Sequence, residues 1–427
     1  MIYSFIAIAF ILGYIFIVFE KKIKIDKAAS AIITGVVCWT LYIFSGASIE
    51  TISRQLMAHM GEIAGILFFL LGAMTIVELI DAHDGFAIIS NRMKSDNKRK
   101  LLWLVGFITF FLSAVLDNLT TTIVMVLMIR ALIHDEKERW IFTGIIIIAA
   151  NSGGAWSPLG DVTTTMLWIG GQITAWNIMQ RLIIPSLVSV IIPLMLATFM
   201  IKKAGPKIQE KNVPKSIGIS RLEKNAVLII GILGLLFVPV FKSLTHLPPF
   251  MGMLLSLGII WAFIELLHRN KNEEKKFTFS VIAALRRLNI PTILFFLGIL
   301  LAVSALESSG LLNKWALGLS SYVPNQNILI IIIGFFSSVV DNVPLVAAIQ
   351  GMYSLNVYPT DHYFWEFLAY AAGTGGSILI IGSAAGIAAM VMEKITFFWF
   401  LKRFSILALL GYLSGAFTYI LLTNFTH

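Results

Sequence analysis

Charge is scarce in this chain. Only 13% of its 427 residues are Asp, Glu, Lys or Arg, while 58% are hydrophobic; a soluble domain carries about a quarter charged residues. That balance excludes an ordinary soluble domain and predicts an all-α polytopic membrane protein, because a helix satisfies its own backbone groups in lipid. Cysteine is scarcer still: Cys38 alone, within an apolar run. It excludes a disulfide framework within one chain and any cysteine-based metal site. No closely spaced His pair supports a transition metal. No Gly-x-x-x-x-Gly-Lys loop supports nucleotide hydrolysis, so an ion gradient is the expected energy source. A net charge of +9 would suggest nucleic acid in a soluble protein. Here the charges cluster in loops between apolar runs, so topology explains them and no nucleic-acid partner is expected. The segment Ile2–Phe19 has neither a basic region nor a small-residue cleavage site and reads as a retained span.

What stands out against this background is Asp117-Asn118, inside the long apolar stretch Leu101–Ile133. An ionisable residue at membrane depth costs roughly 2.5–3.5 kcal/mol on insertion scales and is by default a functional-site hypothesis. The pair recurs 224 positions later as Asp341-Asn342. Other blocks repeat in the same order. Phe69–Gly72 matches Phe295–Gly298 at an offset of 226, and Ala149–Gly154 matches Ala371–Gly376 at 222. Chance similarity between apolar stretches does not predict shared order and spacing.

Leu101–Ile133 has arms of about sixteen residues around Asp117-Asn118, or roughly 24 Å of helix, short of a hydrocarbon core of about 30 Å. Charged flanks lie at both ends of Leu101–Ile133. A helical hairpin that enters and leaves on one face fits these facts better than one long helix kinked at Asp117. Ile328–Leu355 is the second hairpin. Trp140–Trp168 and Phe364–Met392 carry Gly- and Pro-rich interruptions, at Asn151–Thr165 and at Gly373–Ser377 and Gly382–Gly386, and read as broken spans. Single spans are expected at Ile2–Phe19, Ala28–Phe44, Ile63–Ile80, Leu182–Ile201, Ala226–Phe241, Met251–Leu267, Ile290–Leu306 and Ile395–Leu422. Ser45–Gly61 is a connection, and Asp84–Met93 is amphipathic.

The predicted organisation is a first transmembrane repeat over 1–201, a cytoplasmic linker over 202–224, and a second repeat over 225–427. Each half has five crossings and one re-entrant hairpin. An odd count inverts one half relative to the other, the inverted-repeat plan of many secondary transporters. With both termini outside, only Arg54, Arg181, Lys242 and Lys314 of the 32 Lys and Arg lie away from cytoplasmic ends, as the positive-inside rule asks. The hairpin tips then approach the midplane from opposite faces.

A site at these tips and breaks is rich in oxygen. It offers carboxylates from Asp117, Asp161 and Asp341, amides from Asn118, Asn151 and Asn342, and hydroxyls from Ser152, Thr163, Thr164, Ser337, Thr374 and Ser377. Such ligands suit a hard monovalent cation. In the repeat alignment Asp161 faces Ser383 and Asn151 faces Gly373, so the first half carries one more carboxylate and supplies the main ion site. Asp117, Asp161 and Asp341 also suit helix capping, which is compatible with ion binding.

The runs Asp117–Thr122, Asn151–Thr165 and Asp341–Pro344 resemble those of the NhaD family of Na⁺/H⁺ antiporters, in the ion transporter superfamily, and the resemblance covers nearly the whole chain. It implies exchange of cytoplasmic Na⁺ or Li⁺ for external H⁺ across a bacterial inner membrane, with no cofactor besides the transported ions. It implies that Asp117, Asn118, Asn151, Asp161, Thr163, Thr164, Ser337 and Asn342 matter, with Na⁺ held by Asp117, Asn118, Asn151, Asp161 and Thr163, and that the protein is a homodimer in lipid. Related symporters carry Ser-Asn-Thr at the tips, where this chain has Asp-Asn. The alternatives are a sodium-coupled carboxylate symporter or arsenite exporter, which predicts cationic groups at the site, and an intramembrane aspartyl protease, whose Gly-x-Gly-Asp signature is absent: the run is Pro158-Leu159-Gly160-Asp161. A passive channel would dissipate gradients without needing Na⁺.

Overall fold

The structure, a computed structural model, describes residues 2–86, 97–133, 135–201, 220–269, 271–339 and 342–424. Asp341, positions 202–219 of the expected linker and positions 87–93 of the expected amphipathic segment lie outside the described residues. Among those described, every regular element is a helix. The chain opens with α1 (Ile2–Val18), α2 (Glu20–Ile23), α3 (Lys27–Ile43) and α4 (Ile49–Ala82). Asp117 separates α5 (Lys98–Leu116) from α6 (Asn118–Leu132). α7 (Glu136–Ala155) and α8 (Val162–Ile169) flank a first break, and α9 (Ala175–Met200) follows. Then come α10 (Arg221–Thr245), α11 (Pro249–Leu267), α12 (Glu273–Thr278), α13 (Val281–Arg287), α14 (Ile290–Ser308) and α15 (Leu311–Tyr322). α16 (Gln326–Phe336) and α17 (Asn342–Met352) flank the second Asp-Asn region. α18 (Tyr363–Gly375) and α19 (Ala384–Glu393) flank a second break, before α20 (Phe397–Arg403) and α21 (Ser405–Asn424).

Seven of the described helices are long and apolar enough to cross a membrane: α4, α5, α9, α10, α11, α14 and α21. The pair α19–α20, bent by 113°, makes a possible eighth. The protein is therefore a multi-pass, all-helical membrane protein. Six of the seven long helices carry crossings expected from sequence, whereas α5, expected as a short hairpin arm, is 19 residues long and has crossing length. The remaining expected crossings fall on α1 and α3, of 17 residues each, and on helices interrupted at breaks.

Three local expectations are corrected. The connection expected over Ser45–Gly61 is mostly helix, because Ser48 accepts from the Thr51 N–H at 3.2 Å and Glu50 stands in the first turn, both favourable at a helix start. The interruption expected across Asn151–Thr165 is shorter, since α7 runs on through both glycines to Ala155. Gly153 serves contact here: a Cβ on it would lie 2.2 Å from the Phe110 carbonyl oxygen of α5, so only glycine lets the two backbones meet. The final span over Ile395–Leu422 is also divided: α20 ends at Arg403 and α21 starts at Ser405, with Phe404 between them.

Two buried apolar clusters organise the packing. One joins α1, α3, the first part of α4 and α14, and also takes in Val343 and Ala347 of α17. The other runs through α5–α7, α9, α18, α19 and α21. Glu393, 2% exposed, ties the far end of α19 to the second cluster by pairing with Arg130 of α6 at 2.6 Å and Arg139 of α7 at 2.9 Å.

Beyond the ends of α4 and α11, the buried rings of His83 and His268 stack at 5.2 Å, with Phe279 against both. His83 Nδ1 donates to the Leu79 carbonyl at 2.7 Å. Burial, with Lys271 nearby, pushes the His83 imidazole down, and burial with Lys271 and His83 pushes His268 down to about 4. Both rings are neutral at pH 7. A depressed histidine contributes fully above its unfolded value of about 6.5 and loses that contribution as pH falls towards the folded value. The melting temperature of the purified protein should fall by several degrees from pH 7.5 to 5, and His268→Phe should fall distinctly less. Equal losses in the two proteins would contradict this account of the stack.

Candidate functional site

The site is built where two interrupted helices pass one another. Asp117 sits at φ +75°, a conformation that few non-glycine residues adopt, and serves at once as the last cap of α5 and the first of α6. Its Oδ1 accepts from the Thr120 N–H and its Oδ2 from the Thr120 hydroxyl, both at 2.8 Å. Capping therefore occupies both oxygens, although each keeps a second lone pair for another ligand. Asp117 and Asn118 face a cavity of about 80 Å³ whose walls include Phe69, Val77, Leu159 and Phe296.

Asn151 links three elements. Asn118 Nδ2 donates to Asn151 Oδ1 at 3.1 Å, and Asn151 Nδ2 donates to the Ser377 and Ser383 hydroxyls, each at 2.9 Å. All four residues are buried. Ser383 is the residue missed as a site member: it caps α19 by accepting from the Gly386 N–H at 3.1 Å and meets Asn151 across the halves. Its position opposite Asp161 in the repeat was the available signal.

Asp161, 3% exposed, caps α8 by accepting from the Thr163 N–H at 3.3 Å. Its other oxygen lies beside Gly373 of α18, 3.2 Å from where a Cβ there would stand. The two breaks thus have matching geometry with different chemistry. At one, an amide (Asn151) meets a hydroxyl cap (Ser383); at the other, a glycine (Gly373), with no side chain to donate, packs closely against a carboxylate cap (Asp161).

The remaining sequence candidates divide. Thr163 is fully buried, and its hydroxyl has no hydrogen-bond partner among the described residues. The Ser337 hydroxyl donates to the Ala372 carbonyl at 2.8 Å and also to the Asn342 side-chain oxygen, and Asn342 stands against Gly376. Three hydroxyls are spent elsewhere. Ser152 accepts from Ser189 of α9 at 2.8 Å, Thr164 donates to Ala155 O at 3.4 Å, and Thr374 donates back to Tyr370 O at 2.6 Å, a bond threonine often makes within its own helix. Asp341 is outside the described residues. No group of three or more His, Cys, Asp or Glu able to hold a metal ion occurs among the described residues, so any cation here takes mixed carboxylate, amide, hydroxyl and carbonyl oxygens.

Buried oxygen ligands at helix breaks within a multi-pass helical bundle define a membrane transporter, and known proteins specify the kind. A family model described as "Citrate transporter" matches residues 14–365. The chain is 45% identical to sodium/proton antiporter 1 of Arabidopsis thaliana over 98% of its length and 72% of the relative's, and 42% identical to that plant's sodium/proton antiporter 2 over 98% and 99%. It is 30% identical to the Na(+)/H(+) antiporter NhaD of Alkalimonas amylolytica over 96% of the chain and 89% of the relative. The chain belongs to the NhaD-type Na⁺/H⁺ antiporter family matched by that citrate transporter model. Its relatives are named as transporters, in line with a non-enzymatic reading, and they come from plants as well as bacteria.

Ser383→Ala removes a cap and one of the two acceptors of the Asn151 amide. The expected cost is about 1–2 kcal/mol, seen as a lower melting temperature of the purified protein, with Ser383→Thr largely restoring it. An unchanged melting temperature in Ser383→Ala would show that the Asn151–Ser383 contact carries no weight.

Proposed function

We propose that the chain exchanges Na⁺, or Li⁺, from the cytoplasm for external H⁺, the two competing for buried carboxylates at Asp161 and Asp117. Asp161 carries the proposal: it is a buried carboxylate packed closely against Gly373, and it has no carboxylate counterpart in the other half. Desolvation penalises a buried charge, so a proton and a cation would compete to neutralise this group. The proposed Na⁺ ligands are Asp117, Asn118, Asn151, Asp161 and Thr163. Thr163 supports this choice through its unpartnered hydroxyl, and Asn118 and Asn151 by standing between the first tip and the second break. Asp117 ranks below Asp161, since Thr120 already occupies both of its oxygens. Ser337 and Asn342, with Asp341, would complete the second half of the site.

The inverted repeat and re-entrant hairpins belong to this proposal, with halves at 1–201 and 225–427. Equivalent bonds support them. The Ser113 hydroxyl donates to Ala150 O at 2.6 Å, as Ser337 does to Ala372 O. Gly153 meets the Phe110 carbonyl as Gly375 meets that of Gly334, and Gly160 meets Ser113 O as Gly382 meets Ser338 O. Rocking of one packed unit against the other would alternate access. Transporters of this family need no cofactor, the ions being the substrates. We place the protein, as a homodimer, in a bacterial inner membrane with both termini outside.

The family description favours citrate transport as a second reading. Fixed carboxylates at the site, with no Lys or Arg among the candidate residues, oppose a polyanion.

In energised vesicles with a pH-reporting dye, Na⁺ or Li⁺ should collapse the pH gradient with the wild type, citrate should not, and Asp161→Asn should abolish the response while still inserting in the membrane. A wild-type rate in Asp161→Asn would overturn the assignment, and dissipation without added Na⁺ would indicate a channel.

A further inference from the structure

A second cavity, of about 390 Å³, lies between two walls. One wall is α4 and α14, contributing His59, Glu62, Val303 and Glu307. The other is α8, the segment after it and α17, contributing Met166, Gln172, Ala347 and Gln350. Polar contacts mark its edges. His59 Nε2 lies 3.1 Å from the Ser308 hydroxyl, and its Nδ1 lies 3.7 Å from the Glu62 carboxylate. Glu307 Oε2 is 3.2 Å from where a Cβ on Gly351 would stand. Gln350 Nε2 donates to Met166 O at 3.3 Å, bridging α17 to α8. Two carboxylates and an imidazole face this space, and no Lys or Arg lines it.

Two further observations point to a ligand. Met166, in the cavity wall, is three residues after Thr163 on α8, hence on the same helix face about one turn away. The Thr163 hydroxyl is fully buried and unpartnered among the described residues. The cavity is therefore walled by the helix that also carries an unsatisfied oxygen of the proposed ion site. Its mouth is also far from the basic loops: His59 is nineteen residues, roughly 28 Å of continuous helix, from Glu78 of the same α4, which meets Arg287 at 3.5 Å.

We infer that this cavity is a cation vestibule, admitting small hydrated cations between α8 and the aqueous face opposite the basic loops, with Glu62 and Glu307 concentrating them at its mouth. An acid-lined cleft with low-dielectric walls raises the local concentration of cations about tenfold or more. Which ions use it, sodium outward and hydronium inward, rests on the exchange proposed above; the vestibule itself does not.

The experiment is thiol labelling in a Cys38→Ala background with one new cysteine on either wall, Val303→Cys or Ala347→Cys. Each is exposed in oriented vesicles to membrane-impermeant cationic and anionic methanethiosulfonates of similar size. Both cysteines should label from the face opposite the basic loops and not from the other. The cationic-to-anionic rate ratio should exceed that of free cysteine about tenfold, and Glu62→Gln with Glu307→Gln should bring it back towards the free-cysteine value. Absence of labelling at both positions in folded protein, labelling from the basic face, or a ratio indifferent to the two glutamates would overturn the vestibule. Loss of Na⁺/H⁺ exchange activity in vesicles with this labelling pattern intact would instead strike the exchange reading alone.

Discussion

Backbone that leaves the helix at membrane depth has no water to bond, so it is tolerated only where protein or an aqueous cavity receives it. The architecture of this chain follows from that constraint. The two breaks, after Ala155 and after Gly375, lie against the Asp-Asn regions, and glycines bring the backbones into contact at Gly153, Gly160, Gly375 and Gly382. Serine hydroxyls take up carbonyls at Ala150 and Ala372, and Asp161 and Ser383 cap the helices that restart. Under the proposed function, the groups that solve the backbone problem are the same groups that present oxygen to an ion, so capping and binding would be two uses of one arrangement.

Under the proposed inverted repeat, the difference between the halves is what makes this frame a candidate site. Where the first half has Asn151 and the second Ser383, an amide and a hydroxyl satisfy one another at 2.9 Å. At the corresponding contact Gly373 brings no side-chain donor and packs closely against Asp161, a Cβ there lying 3.2 Å from its Oδ2. A carboxylate in such a place is costly unless a proton or a cation accompanies it, which is the physical content of exchange by competition. The Arg130–Glu393–Arg139 cluster meanwhile joins α6, α7 and α19, so that the first tip and the second break are held in one packed unit.

Much of this was legible in the sequence because helix breakers and membrane carboxylates are rare enough to be read singly. The split at Asp117, the interrupted spans and the clustering of Asn118, Asn151 and Ser377 follow from residue type and spacing. What was not legible depended on partners. Whether Ser152, Thr164 and Thr374 face an ion or a neighbouring backbone is decided by helix rotation, which period and composition leave open. Ser383 read as an absence of charge rather than as a partner for Asn151. The glycines at 153 and 154 looked like breakers and proved to be contact points within α7. The division at Phe404, inside the last expected span, carries no breaker residue at all.

Competition at one carboxylate has a direct thermodynamic signature, because a proton and a cation that exclude each other are linked. The decisive measurement is calorimetric Na⁺ binding to the purified protein across pH, with proton release followed in weakly buffered solution. The account predicts that Na⁺ binding expels protons and that the apparent Kd for Na⁺ rises about tenfold per unit fall in pH once the site is protonated. Na⁺ binding with a pH-independent Kd and no proton release would contradict it.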